Sequence, residues 1–494
     1  MYLRIDIAKK RIIFITVFFL ILACTLSLNA ETSAQKNSFL LKKLEIDSSQ
    51  ILSEEEIGAV TAKYEERKIT IEELGELTEE LNKLYQEKGF LTARAVLPKQ
   101  KIENGRVKIK LVEAEIGRAA VKDNKYTKDK YILSRLKLEE DELLNITKLE
   151  EKLNYFNSTN DLKVRAELKA GAEFAKTDVI LNTAEPDNFQ TALFIDNGGQ
   201  EQTGEIRKGI YSIIRSVWGY RDSLTLSFIS AEGTDAGSIS YSLPINKTGG
   251  RFGIAYAENQ SNIIDGAFES VDIMSDYNDF SLSFFQPLKI DKNSKLSASA
   301  ELHLKESDSY FSDLNLISHQ LRAAVFKINS EDNKNGEIKS DQHSLYVVDG
   351  VDDGEKVYFK YKGKYQKQKL LSEKSMFRWL GEIQLAEEKI PASEEYVLGG
   401  ISSLRGYEEG IISGESGYLA QLELMSRINS RLNQSLFFDF GGIDSHSLDS
   451  KNLSSLGTVS RIQFTDKLSG DFVLGIPLDS DYDPRIHFSM QFIF

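Results

Sequence analysis

The sequence contains very little cysteine and histidine and no basic block, and each shortage excludes a class of protein. A single cysteine, Cys24, among 494 residues excludes a disulfide framework and a multi-cysteine zinc or iron–sulfur site. The five histidines are scattered without the spacing of metal ligands, so we predict no metal site and no cofactor. A formal charge of −14 without a Lys/Arg-rich run argues against a nucleic-acid-binding surface.

Motifs for phosphate binding and for hydrolysis are also missing. The sequence has no GxxxxGK(S/T) loop, so we predict no nucleotide requirement. It has no GxSxG elbow and no HExxH helix, and its acidic residues are spread too evenly to nominate a catalytic carboxylate pair. We therefore predict that the protein is not an enzyme.

The one long apolar run of the sequence lies at its N-terminus. Basic residues at positions 4 and 9–11 precede the apolar run 12–28, which small and polar residues follow up to position 34. This order predicts a secretory signal peptide over residues 1–34, cleaved after Ala30 or Ala34, with an uncleaved anchor as the alternative. We predict no transmembrane helix after Leu28, so this exported chain can span a membrane only as a closed β-barrel.

Residues 38–114 combine helical and strand periodicities. Capping boxes at residues 53–56 and 70–73 predict two helix starts. The second helix carries an apolar stripe and stops at Gly89; the stripe comprises Leu74, Leu77, Leu81, Leu84 and Tyr85. Strand patterns flank the helices at residues 39–46, 91–97 and 106–112. The order strand, helix, helix, strand, strand predicts an α+β module with one sheet face covered.

Residues 115–186 repeat this order less regularly. Strand patterns cover residues 116–121, 162–168 and 177–183, and helical patterns cover residues 127–136 and 146–156. We therefore predict two β-α-α-β-β modules in tandem.

After Pro186 the apolar and polar residues alternate in stretch after stretch, for example in residues 296–304 and 377–385. The chain ends in such a stretch, residues 486–494, with a terminal Phe. This pattern predicts an antiparallel transmembrane β-barrel over residues 187–494, of about sixteen strands at ~10 residues a strand. A soluble β-sandwich or β-helix is the competing interpretation, but a sandwich rarely needs so many strands, and closure removes exposed sheet edges.

Four motifs, in this order along the chain, resemble one family. The first-module motif comprises Tyr85, Gly89, Phe90, Arg94, Pro98, Gln100 and Gly105. The others are residues 196–204 with 241–244, then Gly399-Gly400-x-x-x-Leu404-Arg405-Gly406-Tyr407, and Asp439-Phe440-Gly441. They are similar to the POTRA module, the first barrel strands, the lumenal Arg-Gly-Tyr/Phe loop and its facing Asp-x-Gly strand of two-partner secretion transporters, the TpsB proteins of the ShlB/FhaC/HecB type. The resemblance covers residues 38–494.

The resemblance implies a transporter in the outer membrane of a Gram-negative-type envelope, in contact with lipid, with two POTRA modules in the periplasm. Its implied partner is one dedicated exoprotein, such as a haemolysin or adhesin, that arrives unfolded and is large and β-helical. Many members carry an N-terminal plug helix; the few residues between Ala34 and Phe39 predict that this one does not. The alternative is a barrel-assembly factor of the same superfamily, but those usually have three or five POTRA modules. A passive porin would not explain the two modules.

The chemistry of Arg405 leads to a hypothesis for the barrel motifs. A guanidinium inside a barrel needs a carboxylate, and Asp439 lies on a strand whose residues 436, 438 and 440 are apolar, so Asp439 should face inward. Gly406 permits a tight backbone path, Tyr407 can pack on the wall, and Gly441 completes the facing motif. We predict that the Arg405–Asp439 pair locks a lumenal loop; a solvated arginine in an external loop is the alternative.

Overall fold

The structure is a computed structural model that describes residues 38–494 except 267–268, 272, 313, 351–356, 388 and 447–448. The predicted signal peptide, residues 1–34, lies outside the described residues. The chain divides into two compact units: the first runs to Glu115 and takes in Leu143–Thr147 and Glu173–Lys176, and the second contains the rest. No helix in the described part of the chain is long and apolar enough to cross a membrane, a finding that does not bear on β-barrels.

The first module has the predicted order of helices and main strands. Both capping boxes form, so that Ser53 opens α1 and Thr70 opens α2. The apolar stripe of α2 covers one face of a three-stranded sheet of order β2-β5-β4. The elements are β1 (Phe39–Leu41), β2 (Lys43–Ile46), α1 (Glu54–Thr61), β3 (Arg67–Ile69), α2 (Ile71–Glu87), β4 (Arg94–Val96) and β5 (Arg106–Val112).

The single strand predicted over residues 39–46 is wrong, because the structure has two strands there. β1 pairs antiparallel with β3, an element that the sequence pattern did not reveal, whereas β2 pairs parallel with β5. The N–H groups of Lys42 and Lys43 both donate to the carbonyl of Gly105, at 2.8 and 3.3 Å. The chain therefore changes partner at Lys42.

The second module also has the order strand, helix, helix, strand, strand. Its sheet has the order β6-β8-β7, which leaves β7 at an edge. Its helices bury apolar residues that include Ile132 and Phe156. The elements are β6 (Glu115–Lys122), α3 (Asp129–Leu136), α4 (Ile146–Thr159), β7 (Lys163–Ala170) and β8 (Lys176–Ala184).

The rest of the chain forms a closed barrel of sixteen antiparallel strands, as the alternation predicted, and β26 closes it against β9. The barrel strands are β9 (Phe189–Asp196), β10 (Arg207–Arg215), β11 (Ser223–Ser230), β12 (Thr234–Pro244), β13 (Arg251–Asn262), β14 (Ile273–Ile290), β15 (Ser294–Phe311), β16 (Leu314–Lys334), β17 (Glu337–Gly350), β18 (Tyr358–Leu370), β19 (Ser375–Ala386), β22 (Ser416–Arg427), β23 (Leu432–Asp444), β24 (Lys451–Gln463), β25 (Leu468–Pro477) and β26 (Arg485–Ile493). β20 (Tyr396–Leu398) and β21 (Ile412–Gly414) form a separate two-stranded sheet.

The barrel strands alternate between an apolar outer face and an inner face. On β23, Leu436, Phe438 and Phe440 are exposed on the outside, whereas Asp439 is fully buried. On β26, Ile486 is exposed and His487 is fully buried. Strand alternation therefore sorts side chains between lipid and lumen.

Arg221, in the turn between β10 and β11, joins the second module to the barrel. Its buried guanidinium forms an ion pair with Asp161, which lies two residues before β7. Arg251 of β13 donates to the carbonyl of Arg221 at 3.1 and 3.2 Å. The start of β7 is therefore attached to the turns at one end of the barrel.

Candidate functional site in the barrel lumen

The residues between β19 and β22 fold back into the barrel, and we call residues 389–415 the lumenal segment. β20 and β21 pair antiparallel as its two arms, and residues 399–411 form its tip. Leu398, Leu404 and Tyr407 are almost fully buried in an apolar cluster with residues of β19, β22, β23 and β24. The tip is therefore packed against the inner wall rather than exposed at the surface.

Arg405 at the tip forms a bidentate ion pair with Asp439 of β23. Its Nε and Nη2 atoms donate to the two carboxylate oxygens of Asp439, both at 2.7 Å, and its backbone N–H donates to Oδ2 at 3.2 Å. The Arg405 side chain is 7% exposed and that of Asp439 0%. The structure therefore contradicts the alternative of a solvated arginine in an external loop.

A second carboxylate completes the charge balance around Arg405. Nη1 of Arg405 donates to Oε2 of Glu423 on β22 at 3.1 Å, and Oε1 of Glu423 accepts from Arg461 on β24 at 2.5 Å. The Arg405 guanidinium also lies 3.8 Å from the centroid of the Phe437 ring. Two guanidinium groups and two carboxylates therefore form a compact network in which each buried charge has a partner.

The tip also contacts β25 and β26, and it does so through its backbone atoms. The N–H of Gly406 donates to Nε2 of His487 on β26 at 3.2 Å. A Cβ on Gly475 of β25 would lie 2.4 Å from the Cα of Gly406, and a Cβ on Gly406 would lie 2.8 Å from the carbonyl carbon of Gly475. Two glycines are required because backbone meets backbone here.

Tyr407 and Gly441 support the tip from two sides. The Tyr407 hydroxyl donates to the carbonyl of Ser454 on β24 at 2.8 Å. A Cβ on Gly441 would come within 3.1 and 3.2 Å of side-chain carbons of Leu398 and Leu404, so the glycine makes room for the segment. All five residues predicted for the lumenal lock, Arg405, Gly406, Tyr407, Asp439 and Gly441, therefore lie at this contact; their role in transport stays a prediction.

The predicted first-module motif has a structural explanation at its start. Gly89 ends α2 with a Schellman motif: its N–H donates to Gln86, and the N–H of Phe90 donates to Tyr85, both at 2.9 Å. Phe90 packs on the module core. The buried Tyr85 hydroxyl donates to Glu113 at 2.8 Å, and burial together with this carboxylate raises the pKa of the phenol. These residues stabilise the module.

The end of the motif shapes the edge of the sheet. Arg94 is exposed on β4, and the carbonyl of Gly105 accepts the two N–H groups at the β1–β2 break. Beyond β4, the register places Pro98, which has no N–H, opposite Lys108 of β5. The Gln100 amide replaces the missing strand bonds, since its Nε2 donates to the Lys108 carbonyl and its Oε1 accepts the Lys108 N–H, both at 2.7 Å.

Removing the Gln100 amide should loosen this part of β5. In Gln100→Ala the Lys108 N–H loses its acceptor, and we expect its hydrogen exchange in the intact protein to become about fivefold faster, as for about 1 kcal/mol of lost hydrogen bonding. Gln100→Glu, which keeps an acceptor oxygen, should retain protection. Equal exchange of Lys108 in wild type and Gln100→Ala would contradict this assignment.

Several contact residues of the lumenal site were not predicted. Glu423 was detectable in principle, because it is a charged residue at an inward position between the outward Leu422 and Leu424. No sequence pattern marks Gly475 and His487 as contacts of the tip, because these contacts depend on which strands surround the tip. Only the barrel register brings them to Gly406.

The closed sixteen-stranded barrel, with an inward-folded segment and N-terminal α+β modules, resembles solved structures of other proteins. Solved structures with this fold include CdiB from Escherichia coli, with a TM-score of 0.69 and 19% identity over 95% of this chain and 93% of that one. BamA from Haemophilus ducreyi, lacking POTRA domains 1–3, has a TM-score of 0.59 and 14% identity over 92% of this chain and 100% of that one.

The sequence comparison identifies the family. Residues 175–462 match the family described as haemolysin secretion/activation protein ShlB/FhaC/HecB, and residues 39–114 match its ShlB-type POTRA domain. The chain belongs to this family. A curated relative, the heme/hemopexin transporter protein HuxB of Haemophilus influenzae, is 22% identical over 485 residues, which cover 91% of this chain and 85% of the relative.

The family and the fold together define what the protein does. It is an outer-membrane transporter of two-partner secretion, with POTRA domains on the periplasmic side and a β-barrel in the membrane. It exports a dedicated secreted partner protein. The expectations of fold, family and location from the sequence are thereby confirmed.

Proposed function

We propose that this transporter captures its partner as an unfolded chain on the edge strand β7 and passes it through the barrel once the tip of the lumenal segment leaves the wall. The observation that carries the proposal is the open backbone edge of β7. We further propose a large β-helical partner, as the family resemblance implies, and domain limits of 38–114, 115–186 and 187–494. The match of residues 39–114 to the ShlB-type POTRA domain supports the first limit, and the main stretch of the first compact unit ends at Glu115.

The edge of β7 is available for strand addition over most of its length. Val164 at its start is covered, because the Asn157 side chain on α4 donates to its carbonyl at 2.9 Å and accepts its N–H at 2.7 Å. Backbone groups alternate along an antiparallel strand, so those of Ala166, Leu168 and Ala170 also point away from β8. Among the residues that the structure describes, these outward groups have no hydrogen-bond partner.

The corresponding edge of the first module is shorter and partly occupied. β4 has three residues, and the N–H of its central residue, Ala95, donates to the Asn82 side chain on α2 at 2.7 Å. Ala95 is also buried. An extended chain would therefore form more backbone hydrogen bonds on β7 than on β4, and this difference favours the second module as the capture site.

The position of the lumenal segment supports the second half of the proposal. Its tip occupies the lumen and is held by the Arg405–Asp439 pair, so an exported chain needs that space to be cleared. A bidentate, buried pair holds one geometry well, and its breakage is a discrete event. We therefore assign Arg405 the role of a lock that sets the closed position of the tip.

Blocking the β7 edge should reduce export. In a strain that lacks this protein, the partner is recognised as the large protein that disappears from the medium. Complementation with Leu168→Pro, which removes one outward N–H without breaking a bond to β8, should lower export about tenfold, as for about 1.4 kcal/mol of lost pairing. Immunoblots of the medium and of the outer-membrane fraction measure this.

The matched control is Leu168→Thr, which keeps the N–H and suits a strand, and which should export normally. Both variants should reach the outer membrane in equal amount, with other barrels unchanged. Full export by Leu168→Pro would show that β7 is not the capture edge. General loss of outer-membrane barrels on deletion would contradict a dedicated exporter.

A further inference from the structure

The lumenal segment has a second buried attachment, with different partners from those of Arg405, at Glu394. This residue lies just before β20, where the segment enters the barrel, and its side chain is 4% exposed. Its Oε1 accepts from Nζ of Lys305 on β15 at 2.5 Å, and its Oε2 accepts from Nζ of Lys360 on β18. Nζ of Lys360 also donates to the Glu394 carbonyl at 3.1 Å. One carboxylate therefore ties the segment to two different strands of the wall.

Gln384 of β19 connects this attachment to the other end of the segment. The fully buried Gln384 side chain donates through Nε2 to the carbonyls of Glu394 and Glu415, both at 3.0 Å. Glu394 precedes β20, and Glu415 follows β21. One amide therefore holds the entry and the exit of the segment together.

An apolar contact secures the same end. Ile390, four residues before Glu394, is 3% exposed and packs in a cluster with Leu321, Ala323, Val348 and Tyr358 of β16, β17 and β18. Charged, polar and apolar contacts therefore all hold the same end of the segment. We call Ile390, Glu394 and Glu415 the base of the segment.

The base and the tip are attached to different, adjoining parts of the barrel wall. The polar contacts of the base reach from Lys305 on β15 to Gln384 on β19. Those of the tip reach from Glu423 on β22 to His487 on β26. The segment is thus held by two separate sets of polar contacts.

We propose that Glu394, held by Lys305, Lys360 and Gln384, is a positioning residue that forms the fixed base about which the tip swings when Arg405 is released. The base stays on the β15–β18 wall during opening and returns the tip to Asp439 on closing. This inference rests on the proposed movement of the tip during export. It differs from the Arg405 lock, because it states which end of the segment remains still.

Distances between spin labels test the inference in the full-length protein in lipid nanodiscs. Cys24 is replaced by Ser, and Glu373→Cys, in the exposed turn between β18 and β19, provides a reference label. A second label at Ser393→Cys reports on the base, and one at Ser402→Cys reports on the tip. Pulsed electron paramagnetic resonance then measures the distance from each label to position 373.

In the wild-type background, each of the two label distances should have a single, narrow distribution. With Arg405→Ala the tip distance should lose its narrow distribution while the base distance keeps it. With Glu394→Gln the base distance should lose its narrow distribution, because neutralising the carboxylate removes the counter-charge of the buried Lys360 and the partly buried Lys305. Glu394→Asp, which keeps the charge, should restore the narrow base distance in part.

The matched control is Glu387→Gln, which neutralises an exposed carboxylate at the start of the same connection and should change neither distance. A narrow base distance in Glu394→Gln would overturn the inference, as would a base distance that broadens together with the tip in Arg405→Ala. These measurements need no partner protein, so they fail independently of the export proposal. Normal export despite a disordered tip would instead count against the proposed function.

Discussion

Arg405→Ala should reduce export of the partner about tenfold or more, and Arg405→Lys should reduce it nearly as much. Removing the guanidinium leaves Asp439 buried without a counter-charge, whereas Glu423 keeps its ion pair with Arg461, and the loss of a partner from a buried pair costs about 3–5 kcal/mol. Lysine restores a charge but not the two parallel bonds to Asp439. The tip then lacks a defined closed position, from which export starts.

The measurement is the amount of partner in the medium relative to the transporter in the outer membrane. Arg378→Ala is the matched control: Arg378 lines the same lumenal cavity as Arg405 and has no ion pair with any residue that the structure describes. It should export normally. If both Arg405 variants exported fully, the lock would be excluded.

Gly475→Ala should impair export to a similar extent, although it adds only a methyl group. The new Cβ would lie 2.4 Å from Cα and 2.5 Å from N of Gly406, and backbone atoms cannot move aside as a side-chain end can. The tip would have to shift from the wall, which weakens the Gly406–His487 and Arg405–Asp439 hydrogen bonds together. Overpacking of this kind costs about 1–3 kcal/mol, so we expect about tenfold less export.

The control for this variant is Gly237→Ala on β12, where the nearest atom to the new Cβ is 3.6 Å away. Both variants should insert into the outer membrane as stable barrels, because Gly475 lies inside an intact strand pairing. Export by Gly475→Ala equal to that by Gly237→Ala would mean that the close approach of tip and wall has no role in transport.

Local sequence patterns correctly predicted the features that depend only on residues close together in the chain. The two capping boxes, the Gly89 helix end and the strand over residues 106–112 depend on neighbours along the chain, and each is present in the structure. The strand over residues 39–46 was mispredicted because its break depends on the distant carbonyl of Gly105. β3 was missed because it is only three residues long and pairs with β1.

The sequence by itself determined the barrel class, because period-two alternation sorts residues between lipid and lumen whatever the strands' neighbours are. Four motifs identified the family, and the inward position of Asp439 predicted its pairing with Arg405 against the alternative of a solvated arginine. Only the tertiary structure decided that Glu423 joins this pair, that Gly475 faces Gly406, and that Glu394 is attached to β15 and β18. Each of these contacts joins the lumenal segment to a strand of the barrel wall. Closure of the barrel and the path of the segment inside it bring the residues together, and no local pattern encodes that path.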